Sequence, residues 1–185
     1  MERTIVQPPV PSIAALAELK HWLGISRADD DATLAGLLDA SLSLCEAFTG
    51  KTPLVQTVEE VIPLRAGWQE LVSRPVRTVT GVAVIAADGT RTALTPPDGV
   101  IEWRIAGNAC VQLIGPVIST VTGQSLAVQL VTGIAEDWDT LPAPLRHGVI
   151  RLAAHHYRDR DNKVGAVPPA SVSALWRPWR SLRLT

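Results

Sequence analysis

The chain has 185 residues, 46% of them hydrophobic, with a mean hydropathy of +0.18. That is enough for one ordinary core, or for a helical core with a smaller β-rich insertion, and too little for two large independent domains. The formal charge of −1 hides an asymmetry, since from Pro142 onward eight Lys/Arg face two Asp/Glu, while the rest carries nine against sixteen.

A basic end of this kind favours an acidic or phosphate-bearing neighbour, although a basic helix can also be a plain solvated face. No run approaches the ~18 apolar residues of a membrane span, and Met1 to Val10 has no apolar leader region. The expectation is a soluble product made in a cytoplasm, with no membrane partner. Cys45 and Cys110 stand far apart with no CxxC pattern, and Cys45 falls on the apolar face of a helix, where a thiol acts as a small hydrophobe.

The first ten residues read as an extended arm, because Pro8, Pro9 and Pro11 hold the backbone in polyproline or β conformations. Ser12 stands where a helix N-cap belongs, Leu16, Leu19 and Leu23 repeat at helical spacing, and Gly24 is placed to stop the helix. Asp29, Asp30 and Asp31 then lead into Leu34, Leu37, Leu38, Ser41, Cys45 and Phe48, a second apolar stripe closed by Gly50. A triple Asp could hold a metal, but acidic residues at a helix start are favoured by the macrodipole, and that reading is preferred.

From Val55 the pattern changes to short alternating or clustered runs. These are 57–62, 76–85, 100–105, 111–114, 117–121 and 126–131, and turn residues at Asp88-Gly89, Pro96 to Gly99, Gly107-Asn108 and Gly123-Gln124 punctuate them. They predict an antiparallel region of five or six strands. Helical spacing returns at Leu141-Pro142, with Leu145, Val149, Leu152, Ala153 and His156 in one stripe and Tyr157 at its edge. Arg151, His155 and Arg158 lie on the other side. After Pro168-Pro169 a short segment, 171–176, ends at Pro178. The expected fold class is α+β: a small helical bundle of two N-terminal helices plus C-terminal helices, carrying an antiparallel β-rich insertion. The divisions are an arm and helical part over 1–54, the insertion over 55–140, a long helix over 141–167 and a C-terminal segment over 168–185.

Catalysis needs a nucleophile with a base, a paired acid and base, or a metal cage. His155 and His156 are adjacent on a helix and point about 100° apart, so they cannot grip one ion together. There is no HExxH, GxSxG, GxGxxG or P-loop pattern, and Glu59-Glu60 and the Asp137/Asp139 pair read as surface charge. No enzyme and no cofactor is expected. What stands out is the C-terminus, where residues 176–184 pack two of the six tryptophans and three arginines into nine positions. Large aromatics beside arginine are the composition of binding hot spots. The alternatives are self-packing of a terminal helix and nucleic-acid binding through Arg151, Arg158, Arg177 and Arg180.

Several local patterns occur together along the chain. They are Leu19-Lys20-His21-Trp22-Leu23-Gly24-Ile25, the acidic run to Asp31, Glu46-Ala47-Phe48-Thr49-Gly50-Lys51, Val55-Gln56-Thr57 and Arg74-Pro75-Val76. Val131-Thr132-Gly133, Leu141-Pro142, His156-Tyr157-Arg158-Asp159-Arg160, Val167-Pro168 and Leu175 to Arg180 complete the series. In this order the chain resembles the head–tail connector (adaptor) proteins of long-tailed phages, prophages and gene transfer agents. Trp179 departs from the tyrosine more usual there, while keeping an aromatic.

The resemblance implies a structural subunit of a homo-oligomeric ring, expected to be a dodecamer, at the head–tail junction of a virion or gene-transfer-agent particle. It implies the portal protein above, tail stopper or terminator proteins below, and DNA passing through the channel unread. It places portal docking on Leu175, Trp176, Arg177, Pro178, Trp179, Arg180, Leu182, Arg183 and Leu184. Arg151, His155, Tyr157, Arg158 and Arg160 are the candidates for inter-subunit contacts or for the core helix.

Overall fold

The computed structural model describes residues 2–9, 12–65, 67–94, 100–106, 108–114, 125–159 and 168–180. The fold is α+β, as expected, and divides into two compact units. Met1–Pro9 and Val55–Gly133 form one, and Val10–Leu54 and Ile134–Thr185 form the other.

The first unit is built on a five-stranded antiparallel sheet. Its middle strand is β8 (Ser125–Thr132), flanked by β2 (Gln56–Pro63) and β4 (Val76–Ile85). Leu126, Val128 and Leu130 on one face of β8 are buried in an apolar cluster, while on the other face Ala127 is buried and Ser125, Gln129 and Val131 are half-buried. β2 alternates, with Val58, Glu60 and Ile62 turned inward. The arm expected over the first ten residues is β1 (Glu2–Gln7), an edge strand that puts Glu2 opposite Val61 and Ile5 opposite Val58. Pro8, which has no N–H to donate, follows the strand at once. The hairpin expected at Asp88-Gly89 joins β4 to β5 (Arg91–Ala93): Gly89 takes φ 86°, and the Thr90 N–H donates to the Asp88 carboxylate at 2.9 Å.

A second sheet orders β3 (Gln69–Glu70), β7 (Asn108–Ile114) and β6 (Val100–Ala106), again antiparallel. Val111 and Leu71 join Val58, Ile62, Val76, Val84, Leu126, Val128 and Leu130 in one apolar cluster. Each such side chain contributes about 1.5–3 kcal/mol by leaving water. The strand expected over 117–121 lies outside the described residues. Short β1, β3 and β5 were not anticipated, because two to six residues carry too little periodicity to separate a strand from a loop.

Glu60 corrects the surface-charge reading of the Glu59-Glu60 pair. It is fully buried, and its carboxylate accepts the backbone N–H groups of Val72 at 2.8 Å and Ser73 at 2.7 Å. Glu59 does lie at the surface, where both of its oxygens meet the Arg91 guanidinium.

The second unit is helical. In α1 (Ile13–Leu23) the Ser12 hydroxyl accepts from the Ala15 N–H at 3.1 Å, and Gly24 closes the helix at φ 70°. In α2 (Asp31–Thr49), Leu34, Leu38, Ser41 and Cys45 face the core as their spacing requires, and Gly50 ends it at φ 69°. The acidic run does more than begin α2. Asp30 occupies the N-cap position without a side-chain capping bond and accepts the Tyr157 hydroxyl at 2.7 Å, and Asp31 accepts the Lys20 ammonium at 2.6 Å. These carboxylates tie α2 to α3 (Ala143–Arg158) and to α1.

α3 lies at the centre of this unit, packed by α1, α2 and α4 (Ala170–Trp176). Its buried set is therefore wider than one stripe: Gly148, Ile150 and Ala154 join Leu145, Val149, Leu152 and Ala153. His156, expected inside the stripe, is only partly buried. No helix among the described residues is long and apolar enough to cross a membrane.

Candidate functional site

The C-terminal segment begins where Pro169, with ψ near 148°, turns the chain into α4. Its carbonyl accepts the N–H groups of Val172 and Ser173, each at 2.9 Å. Seven residues later a 3-10 turn, Arg177–Trp179, carries Pro178 in its first turn. The face this segment buries is Val172 and Trp176.

Trp176 has no exposed surface, and its ring lies on Gly148 of α3. A Cβ at that glycine would stand 2.1 Å from the indole nitrogen, so only glycine admits the ring. The indole N–H donates to the Leu145 carbonyl at 3.3 Å, and the Phe48 ring sits 5.9 Å away at 53°. The expectation that Trp176 is offered to a partner is corrected accordingly. A partner would reach this ring only after α4 left its own core.

The rest of the segment divides. Leu175 and Trp179 pack against the helical core and stay partly exposed, while Arg177, Pro178 and Arg180 face solvent. The Arg180 guanidinium lies over Phe48 of α2, 5.7 Å from the ring centroid. Leu182, Arg183 and Leu184 lie outside the described residues. A 3-10 turn with Arg177, Pro178 and Arg180 exposed and Trp179 half-buried is thus what residues 177–180 present.

A second feature involves the candidates on α3. His147, Arg151, His155 and Arg158 follow one another at spacings of four, four and three, which puts them on one side of the helix. Arg151, His155 and Arg158 form a wall of a groove of about 210 Å³, closed by Trp22 of α1 and by Pro169 and Ser171 at the start of α4. Trp22 is 45% exposed, an unusual placement for so large an apolar ring, and is held edge-on to His147 with centroids 5.3 Å apart. The His155 Nδ1 is 3.1 Å from the Asp159 carboxylate. Neither Arg151 nor Arg158 has an acidic partner among the described residues.

Tyr157 points away from this groove, toward Asp30. Arg160 lies outside the described residues. Sequence spacing had separated the Arg151 face from the apolar stripe, but it gave no hint that Trp22 and Pro169 would wall it.

Among the described residues four groups titrate away from ordinary values, and Asp88 and Asp137 are lowered by hydrogen bonds from Thr90 and Thr140. Burial, helped by the neighbouring Glu46, pushes the Cys45 thiol up to about 12, so this sulfur is an inert part of the core. Partial burial lowers the pKa of His156, the adjacent His155 lowers it further, and Asp159 opposes both. Among the described residues no three His, Cys, Asp or Glu side chains gather as a metal site would require.

No protein-family model matches the chain, and no curated protein does. Solved structures match it end to end. A chain in the neck of an empty gene transfer agent particle, computed with C6 symmetry, is 24% identical at a TM-score of 0.81. A chain of the virion of the native gene transfer agent particle is 25% identical at 0.79, and one in the neck of the native particle, computed with C12 symmetry, is 24% identical at 0.79. Each match covers 100% of this chain and 98% of the other. At such identities the likeness is one of fold, and it takes in both units, from the edge strand to the C-terminal turn.

Proposed function

We propose that this chain is a structural subunit of the neck of a tailed-phage-like or gene-transfer-agent particle, a ring member joining the portal to the tail, with no catalytic role. The observation that carries this reading is the end-to-end likeness to a neck chain at a TM-score of 0.81. A single shared unit would be weak support, because folds are reused. Two units conserved in one chain order, with almost nothing left over on either side, are harder to explain by reuse. The neighbours' C6 and C12 symmetries support a ring of copies.

On this reading the exposed Arg177, Pro178 and Arg180, the half-exposed Leu175 and Trp179, and the residues to Thr185 dock on the portal. Trp176 serves by holding α4 in place so that the turn is presented rigidly. Tail stopper or terminator proteins meet the far side of the ring, and DNA passes through the channel without being read. A channel that lets DNA slide needs weak or repulsive walls, and the acidic balance of residues before Pro142 suits that need.

Deleting residues 177–185 tests this while keeping Trp176 and the buried core residues, at the loss of the half-buried Trp179 that packs at their edge. The shortened chain should keep its helical circular dichroism and lose attachment to portal-bearing heads at least tenfold. Normal joining of heads to tails by the shortened chain would sink the docking assignment.

A further inference from the structure

We infer that the groove between α1, α3 and α4 is one half of the contact between copies, and that the acidic turn 136–139 of a second copy occupies it. This rests on the ring reading above and names which surfaces would meet.

The groove is cationic and unsatisfied. Arg151 and Arg158 line it without an acidic partner among the described residues, and the carboxylate of Asp159 is taken up by His155. Its shape selects the class of ligand. A concavity of about 210 Å³, with an exposed indole on one wall and proline on another, admits a few side chains. Duplex DNA offers a convex surface with one charge per ~1.7 Å, and it would need a broad basic stripe instead of a recess. Carboxylates carried on a protein turn fit better, with guanidinium forks to receive them.

The turn 136–139 is built to deliver such groups. Glu136, Asp137 and Asp139 are all exposed, and no other stretch of described residues sets three exposed carboxylates within four positions. Trp138, between them, is buried and donates its indole N–H to Glu18 at 2.8 Å. The Asp137 carboxylate accepts the Thr140 N–H at 2.9 Å and its hydroxyl at 2.8 Å. The turn is thereby pinned from below and closed on itself, so little order remains to be lost on docking.

Geometry along α3 prevents a subunit from filling its own groove. The turn precedes the first residue of α3, Ala143, whereas His155, in the groove wall, is twelve residues on, roughly 18 Å at the helical rise. Two complementary patches at opposite ends of one helix are what a head-to-tail contact requires. Self-complementary patches would close a dimer instead.

Sedimentation velocity on the full-length chain, at rising concentration and low salt, tests the pairing. The wild type should associate. R151E/R158E and, separately, D139K (which spares Glu136, already engaged within the chain, and Asp137, which closes the turn) should each associate at least tenfold more weakly while keeping wild-type circular dichroism. An equimolar mixture should recover association, because the reversed charges match again. Association of either variant at wild-type strength, a wild type that stays monomeric throughout, or a mixture no better than its components would overturn the inference. So would loss of duplex-DNA binding by R151E/R158E with self-association untouched, which would make the groove a phosphate site. Mass spectrometry of purified particles separates this from the neck assignment: absence of the chain from particles sinks the assignment, while normal incorporation of both variants sinks only the inference.

Discussion

Trp176 and Gly148 are complementary at the scale of single atoms. The indole fills the space that a side chain at 148 would take, and its N–H reaches the Leu145 carbonyl exposed by that gap. Trp176→Ala removes a completely buried ring and orphans little else, so it should cost about 3–5 kcal/mol of unfolding free energy. Gly148→Ala forces the ring to shift and should cost about 1–3 kcal/mol. Urea unfolding measures both, and a midpoint unchanged in either variant contradicts the packing described. Glu60 is a second such residue. Glu60→Gln halves its capacity to accept the Val72 and Ser73 N–H groups and removes the charge that strengthens those bonds, for a loss of about 1–3 kcal/mol on the same urea transition. A variant as stable as the wild type would show that the charge on Glu60 contributes nothing. Both residues have sequence neighbours that advertise surface, Arg177 in one case and Glu59 in the other, and only packing distinguishes them.

Among the elements, α3 carries most of the molecule's division of labour. One side is buried by three helices, and the opposite side bears His147, Arg151, His155 and Arg158. His156 sits between these regimes. Its pKa in the folded chain lies below the ordinary 6.5, so as pH falls through that value the unfolded chain takes up the proton more readily than the folded one. This histidine's contribution to stability is complete above 6.5 and declines as the solution is acidified. His156→Gln should therefore flatten the dependence of the urea midpoint between pH 7 and 5. A slope identical to the wild type would assign that dependence to other groups. The α2 start shows a similar economy, since Asp30 and Asp31 stand at the positive end of the helix and also hold Tyr157 and Lys20.

For the whole molecule, the two units differ in how they were legible. The helical unit announces itself through caps and 3.6-residue spacing: Ser12, Gly24 and Gly50 stand where the helices begin and end. In the β unit, the runs at 57–62, 76–85 and 126–131 appear as β2, β4 and β8 within two residues at either end. The first ten residues read as extended, and pairing with β2 is what makes that arm an edge strand. The charge asymmetry also gains a location. Part of the basic excess lies in a groove and part on the C-terminal turn, which are separate surfaces with separate variants to test them. If the two act on different neighbours, deletion of 177–185 should leave self-association intact, while R151E/R158E should leave the C-terminal turn able to dock.

Local interactions decide what the amino-acid order determines unaided here. Proline and glycine restrict their own backbone, capping groups bond within four residues, and period two or 3.6 marks which residues share a face. These place the helices, the long strands and the Asp88-Gly89 hairpin, and they show that a Trp/Arg-rich end must find some apolar surface. Which surface it finds is a contest between distant parts of the chain. The notch at Gly148 takes Trp176 and leaves Arg177 and Arg180 outside, the 72–73 backbone draws Glu60 inward, and α1 brings Trp22 to the edge of a groove that α3 alone does not have. Burial and charge environment depend on contacts between residues that lie from 12 to more than a hundred positions apart, and so only tertiary structure decided them.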